Sequence, residues 1–342
     1  METVLGSESR QARFTISEST QVAAVRRAAS DLAFQLGFGE TGAGQVSIIA
    51  TEAATNMVKH ARQGEILLRR LLRGGQHGIE LLAIDSGPGM SNVAGSMLDG
   101  ASTTGTYGGG LGAMKRLSQE FDIYTAPAKG TVIGMTMWAG AVMPPASAFE
   151  YGVVCQPISG ETICGDAWSI SEGATTGLAL LADGLGHGPQ AAEASEKAAL
   201  VLASHEEYPA AALLQEAHVA LHGTRGAAVS VARIDTLNAQ LAYAGVGNIA
   251  AHVYDRDGNG RRQLVSHNGI VGSNLRKVQE FSTPWPPGSH LVLHSDGLAS
   301  RWDLSEFTGV FQCHPRIIAA LLYRDFVRGR DDVSVLVLRD HG

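Results

Sequence analysis

The sequence of 342 residues is poor in cysteine, in basic clusters and in long hydrophobic runs. Its three cysteines form neither a C-x-x-C motif nor an even set for disulfides, so a reducing, cytoplasmic location is expected. The absence of any lysine and arginine cluster argues against nucleic acid as a partner. The charge-free stretch 130–149 holds Pro144 and Pro145 and few large apolar side chains, so no membrane span is expected. The N-terminus lacks the basic and apolar regions of a signal peptide.

Length and composition favour two domains. The stretch from Ala139 to Ala148 is rich in Pro, Ala and Gly and predicts a boundary. We therefore expect a first domain over residues 1–140, a linker over 141–148 and a second domain over 149–342. Residues 1–140 carry 12 basic and 12 acidic side chains, whereas residues 141–342 carry 14 and 21. The net charge of −7 thus belongs to the second half.

Apolar periodicity predicts an alternation of helices and strands in both halves. In the first half, helices are expected over 21–37, over 44–61 and from Leu111, with strands near 65–72, 79–84, 121–125 and 131–138. In the second half, strands alternate with helices near 189–204, 209–222 and 315–327. The expected fold class is α/β (or α+β) in both domains.

Four separated acidic motifs mark the second half. They are Asp166 in Cys-Gly-Asp, Asp183 in Asp-Gly-Leu-Gly-His-Gly, Asp296 in Ser-Asp-Gly, and the pair Asp331-Asp332. Carboxylates delivered by several strands can converge on hard divalent cations, which prefer oxygen ligands. Two such cations can activate water for hydrolysis of a phosphate ester. The alternative is that each Asp-Gly pair marks only an ordinary turn.

Residues 149–340 resemble the SpoIIE branch of the metal-dependent Ser/Thr protein phosphatases, and the acidic motifs are most similar to the RsbX type. The resemblance implies an α/β/β/α sandwich with two Mn²⁺ or Mg²⁺ ions. It implies that Asp183 is the catalytic bridging ligand, aided by the Gly184 carbonyl, and that Asp166, Asp296 and Asp331 complete the cluster. Of the last pair, Asp331 is the expected ligand and Asp332 is not. This branch lacks the phosphate-binding arginine of larger relatives, and the sequence offers no evident replacement.

A second constellation lies in the first half. Glu52 and Asn56 stand four residues apart on one helical face. The run Asp85-Ser-Gly87-Pro-Gly89 follows a strand, and a glycine-rich run over 105–112 opens a helix. Exposed N–H groups at a helix N-terminus suit phosphate, although an ordinary glycine loop is the alternative. Neither a P-loop nor a G-x-G-x-x-G fingerprint is present.

In order and spacing these motifs resemble the GHKL ATPase and kinase superfamily over residues 10–140, most closely the RsbT switch kinases of the stressosome. The resemblance implies a Bergerat-type α/β sandwich, a mixed sheet covered by helices on one face, that binds ATP and Mg²⁺. Glu52 is then the base, Asn56 holds Mg²⁺, and Asp85 accepts from the adenine amino group. The implied cofactor contacts are Asn56, Asp85, Gly87, Gly89, Gly108, Gly110, Leu111, Gly112 and Thr131.

Together the two resemblances imply a bifunctional regulator that phosphorylates and dephosphorylates Ser or Thr in STAS-domain proteins. The expected partners are a stressosome scaffold or an anti-sigma antagonist, with a downstream switch protein as a further candidate. Two alternatives stay open for the first half. It could be an anti-sigma-type kinase that binds a sigma factor, or a non-catalytic ATP sensor that only regulates the phosphatase.

Overall fold

The computed structural model describes residues 1–61, 63–97, 110–140, 142–275 and 277–342. The chain divides into an N-terminal unit, Gln11–Pro145, and a C-terminal unit formed by Met1–Arg10 with Ala146–Gly342. The expected first domain, residues 1–140, differs from this division in its first ten residues. The reason is that strand β1 (Glu2–Leu5) pairs with a strand of the C-terminal unit.

Five strands and four helices form the N-terminal unit in the described residues. The strands are β2 (Ala12–Ile16), β3 (Gly64–Arg73), β4 (Gln76–Asp85), β5 (Glu120–Thr125) and β6 (Thr131–Trp138). The helices are α1 (Ser19–Gln35), α2 (Glu40–Asn56), α3 (Val93–Ser96) and α4 (Gly110–Leu117). A π-helical turn, Met57–Ala61, extends α2 to the residue at which the sequence pattern predicts the end of the second helix.

The sheet of this unit has the order β2-β3-β4-β6-β5. All of its described ladders are antiparallel, so the expectation of a mixed sheet is wrong. Two of the four ladders, β3–β4 and β5–β6, join consecutive strands through short turns. Between β3 and β4, Gly74 and Gly75 both have positive φ, 56° and 71°, as the two-residue turn of a tight hairpin requires.

Helices cover one face of this sheet and bury the core of the unit. Val46, Ile49 and Ala53 of α2 pack with Leu81 and Met135 of the sheet. Each of these five side chains is at most 2% exposed. The implied α/β sandwich with helices on one face is confirmed.

In the described residues, the C-terminal unit contains β1, ten further strands and three α-helices. The strands are β7 (Phe149–Gln156), β8 (Asp166–Glu172), β9 (Thr176–Gly184), β10 (Ala227–Asp235), β11 (Gln240–Val246), β12 (Ala250–Tyr254), β13 (Arg261–Leu264), β14 (Phe281–Pro284), β15 (His290–His294) and β16 (Val333–Asp340). The helices are α5 (Pro189–Ser204), α6 (Ala210–Ala220) and α7 (Pro315–Phe326).

Two sheets stack in this unit, with orders β1-β8-β9-β10-β11-β14 and β13-β12-β15-β16-β7. Leu181 and Leu336, one from each sheet, belong to the core between them. On the outer face of the six-stranded sheet, α5 and α6 bury a second core. On the other side α7 lies close to β7, because a Cβ on Gly152 would be 2.1 Å from the Arg316 nitrogen. The expected α/β/β/α sandwich is confirmed.

The described part of the chain contains no helix that is both long and apolar enough to cross a membrane.

Candidate functional sites

Strand pairing in the C-terminal unit brings the acidic motifs to strand ends. Asp166, the first residue of β8, is the cross-strand partner of Asp183 near the end of β9. Asp296 follows β15, and Asp331 precedes β16, the antiparallel neighbour of β15. Each antiparallel pair therefore supplies two carboxylates, one from each strand.

The carboxylates interact electrostatically. Burial, together with the neighbouring charges of Asp166, Asp296 and Asp331, raises the pKa of Asp183 to about 8. Burial likewise raises the pKa of Asp166 to about 7, although the nearby side chains of Ser295 and Ser334 oppose the shift. Like charges held this close in a buried site favour a counter-ion.

The donor set fits a divalent metal ion. Asp166 Oδ2 is buried and has no hydrogen-bond partner. Carboxylate oxygens are the ligands that Mg²⁺ and Mn²⁺ prefer, and a cation would neutralise the repulsion among them. Among the described residues, no three His, Cys, Asp or Glu side chains already form a set that could hold an ion.

The adjacent aspartates of the last motif have different surroundings. Asp332 is 3% exposed, and its two oxygens accept from Ile158 N at 2.7 Å and Gly165 N at 2.6 Å. This carboxylate fixes the loop that leads to Asp166. Asp331 is less buried and accepts from Asp332 N at 2.9 Å. These contacts are consistent with the expectation that Asp331 is the ligand, which remains a prediction.

Glycines after two of the aspartates permit close backbone approach. A Cβ on Gly184 would lie 2.1 Å from Ala191 O at the start of α5, and one on Gly297 would lie 1.9 Å from Asp332 O. The glycines are thus required by packing around the carboxylates. An ordinary exposed turn would not impose this requirement.

Two residues near the cluster, Asn248 and Arg225, were assigned no role from the sequence. Asn248 Nδ2 donates to Asp296 Oδ2 at 2.8 Å and orients that carboxylate. Arg225 Nη1 donates to Leu185 O at 3.5 Å, on the turn after Asp183. Neither residue belongs to an acidic motif, so only the folded geometry associates them with the cluster. His187, in the turn after Asp183, pairs with Glu161 at 2.9 Å.

In the N-terminal unit, Glu52 and Asn56 reach the start of α4. A Cβ on Gly110 would lie 2.7 Å from Glu52 Oε2 and 3.3 Å from Asn56 Oδ1. Both side chains are half-buried on one face of α2. A carboxylate and an amide therefore border the N-terminus of α4, where Leu111 and Gly112 are buried. Gly108 lies outside the described residues.

Asp85 ends β4 and begins the second part of this site. Its Oδ1 accepts from Gly87 N at 2.8 Å, and its cross-strand partner is Thr131. Gly89 has φ +66°, and a Cβ there would lie 2.0 Å from Ala126 O. A Cβ on Gly87 would lie 2.9 Å from Ala61 Cα, in the turn after α2, so the two parts of the site are adjacent.

Two family models match the chain, one in each unit. A histidine kinase-like ATPase domain matches residues 16–137, and Stage II sporulation protein E (SpoIIE) matches residues 174–341. The first match spans the Glu52, Asn56 and Asp85 motifs. The second spans Asp183, Asp296 and Asp331 and begins after Asp166.

Two curated proteins of Bacillus subtilis (strain 168) are similar to separate parts of the chain. The serine/threonine-protein kinase RsbT is 32% identical over 117 residues, which is 34% of this chain and 88% of RsbT. The phosphoserine phosphatase RsbX is 25% identical over 139 residues, which is 41% of this chain and 69% of RsbX.

Solved structures agree with the fold of the C-terminal unit. A chain from work on the bacterial stressosome, a modular system adapted to control secondary messenger signalling, has a TM-score of 0.52 at 28% identity. The match covers 56% of this chain and 99% of that one. RsbX in complex with magnesium has a TM-score of 0.52 at 20% identity, covering 57% of this chain and 97% of that one.

Proposed function

We propose that the chain is bifunctional. It belongs to the histidine kinase-like ATPases of the RsbT family, and its second half matches the SpoIIE family model. The N-terminal unit transfers phosphate from ATP to a protein serine or threonine. The C-terminal unit removes such a phosphate with the help of divalent cations. Because ATP is the donor, the reaction takes place in the cytoplasm.

The observation that carries the phosphatase proposal is the convergence of carboxylates at the strand ends. Asp166, Asp183, Asp296 and Asp331, with the Gly184 carbonyl, would hold two Mn²⁺ or Mg²⁺ ions. Such ions supply an activated water for attack on phosphorus. Asn248 orients Asp296 through its amide, and Asp332 keeps the loop before Asp166 in place.

The kinase proposal is supported by the position of Glu52 and Asn56 beside Gly110. The N–H groups at the start of α4 can receive phosphate oxygens, and Asn56 can hold Mg²⁺ beside them. Glu52 then accepts the proton of the attacking hydroxyl. The carboxylate of Asp85, next to Gly87, Gly89 and Thr131, would accept a hydrogen bond from the adenine amino group.

We propose STAS-domain proteins as the substrates, either a stressosome scaffold or an anti-sigma antagonist, with a downstream switch protein as a further candidate partner. Support comes from the names of the relatives, one a serine/threonine-protein kinase and the other a phosphoserine phosphatase. The stressosome association of a similar solved structure points to the same kind of pathway.

Two variants of the full chain test both activities together. Glu52→Ala and Asp183→Ala are each incubated with a candidate STAS protein, ATP and Mn²⁺, and the substrate mass is followed. The first variant is expected only to remove phosphate and the second only to add it. Glu40→Ala, at the start of α2, and Asp257→Ala, in an exposed turn, serve as controls and should behave as wild type.

Other outcomes would favour the alternatives. If Glu52→Ala transfers phosphate like wild type and still binds ATP, the N-terminal unit is a sensor. If the chain captures an RNA polymerase sigma subunit in place of a stressosome scaffold, it acts as an anti-sigma kinase. If activity persists after complete chelation of divalent cations, the metal assignment is wrong.

A further inference from the structure

Charge balance at the carboxylate cluster leaves the substrate without a cationic partner. Four aspartates as ligands neutralise two divalent cations, so a phosphoserine dianion would meet no surplus positive charge. The buried Asp332 adds a further negative charge close by. A guanidinium at the rim would compensate, because charge-assisted hydrogen bonds between arginine and phosphate are strong. This reasoning rests on the proposed phosphatase function.

Arg225 is held next to the turn that carries Asp183. In the pairing of β9 with β10, Asp183 lies opposite Ala228 and Gly184 opposite Ala227. Beyond these pairs, Leu185 N donates to Gly226 O at 3.0 Å. The register thus brings the loop before β10 alongside the turn, where Arg225 Nη1 meets Leu185 O at 3.5 Å.

The loop that carries Arg225 is itself fixed. Thr224 Oγ1 donates to Leu221 O at 2.7 Å and accepts from Gly226 N at 3.0 Å. Arg225 is exposed to solvent. Its guanidinium lies beside Gly186, where a Cβ would be 3.0 Å from Nη1. Among the described residues, Arg225 has no hydrogen-bonded carboxylate partner, so its charge is available.

We propose that Arg225 binds the phosphoryl group of the phosphatase substrate through its remaining N–H donors. Another arginine near the cluster, Arg328, donates to Asp296 O at 3.1 Å. Asp183 is close enough to Asp166, Asp296, Asp331 and Asp332 to be affected by the charge of each. Arg225 is the arginine that contacts the turn directly after Asp183.

The test uses the full chain with Mn²⁺ and p-nitrophenyl phosphate, which needs no protein partner. Arg225→Gln removes the charge, and Arg225→Lys keeps it but loses the planar donor geometry. Arg256→Gln, in an exposed turn, is the matched control. For each variant we measure kcat, KM, the calorimetric affinity for inorganic phosphate and the affinity for Mn²⁺.

Arg225→Gln is expected to raise KM and the Kd for phosphate by about tenfold, with Arg225→Lys in between. Its kcat should change by less than about threefold, the pattern of lost ground-state binding. Unchanged KM and phosphate Kd in Arg225→Gln would overturn the proposal. The proposal would also be overturned if Arg225→Gln lost as much affinity for Mn²⁺ as for phosphate, because Arg225 would then only position the turn. A wild-type chain without hydrolysis would instead count against the phosphatase function, while phosphate calorimetry still tests Arg225.

Discussion

The neighbouring aspartates Asp331 and Asp332 are expected to respond in opposite ways to the same substitution. Asp332→Asn replaces a carboxylate that accepts from two backbone N–H groups, Ile158 N and Gly165 N. The asparagine amide must point its NH₂ group at one of these donors, which leaves that donor buried and unpaired. Asp331→Asn, in contrast, changes a less buried side chain that the proposal treats as a metal ligand.

The size of the effect follows from these contacts. A hydrogen bond to a charged group contributes about 1.5–3 kcal/mol, and an unsatisfied buried donor costs about 1–3 kcal/mol. Asp332→Asn should therefore lower the stability of the metal-free C-terminal unit by about 3 kcal/mol. In a unit of this size each kcal/mol corresponds to about 2–4 °C, so Tm should fall by roughly 6–12 °C. Asp331→Asn should change Tm by less than about 2 °C without metal, because substitutions outside a buried hydrogen-bond network usually have small effects.

Scanning calorimetry in EDTA measures the first effect, and Mn²⁺ titration of the same variants measures the second. Asp331→Asn should bind Mn²⁺ at least about tenfold more weakly, because a charged ligand is replaced by a neutral one. The reasoning is refuted if Asp331→Asn is the more destabilised protein in EDTA. It is also refuted if Asp331→Asn binds Mn²⁺ like wild type.

Three further predictions concern stability. Burial lowers the pKa of His290 to about 3. Because the unfolded chain binds this proton already near pH 6.5, the free energy of unfolding should fall as the pH drops below 6.5, by about 2 kcal/mol at pH 5. His290→Gln should remove this pH-dependent part of the free energy of unfolding, as measured by urea unfolding at pH 8 and pH 5. If the variant and the wild type lose the same free energy between these two pH values, the prediction is wrong. Glu80→Gln should destabilise the N-terminal unit by about 3–5 kcal/mol, because the Arg69 charge, paired with Glu80 at 2.6 Å, stays buried without its carboxylate. Thermal unfolding measures the loss, with Glu40→Gln as the control. Deletion of residues 1–10 removes β1 and should lower the Tm of the C-terminal unit, while calorimetric ATP affinity stays unchanged.

Local patterns were sufficient where local forces decide the structure. The strand expected over 131–138 and the helix expected over 189–204 agree with β6 and α5. Both segments have an apolar pattern bounded by glycine or proline, and both are buried in the way that pattern indicates. The glycine and aspartate motifs could also be recognised from the sequence, because the residues of each motif are neighbours along the chain.

Contacts between segments far apart in the chain could not be predicted from the sequence. Strand β1 pairs with β8 across more than 160 residues, and no composition change near residue 10 marks its assignment to the C-terminal unit. The position of Arg225 depends on the register of β9 and β10, which is a property of two strands together. The role of Asp332 likewise depends on Ile158 and Gly165, which the fold brings to it.

The fusion itself constrains how the proposed pathway could be controlled. When a kinase and a phosphatase are separate chains, as the relatives RsbT and RsbX are, their ratio can be changed by the amount of each protein. In a single chain the two sites are always present one to one, and free action of both on one residue would merely hydrolyse ATP. The phosphorylated fraction of a substrate must then depend on turnover at each site, hence on ATP, cation occupancy and substrate preference. Control should therefore lie in ligands of the two sites or in different partners for each, and changing the abundance of the chain should leave the steady-state fraction unaltered.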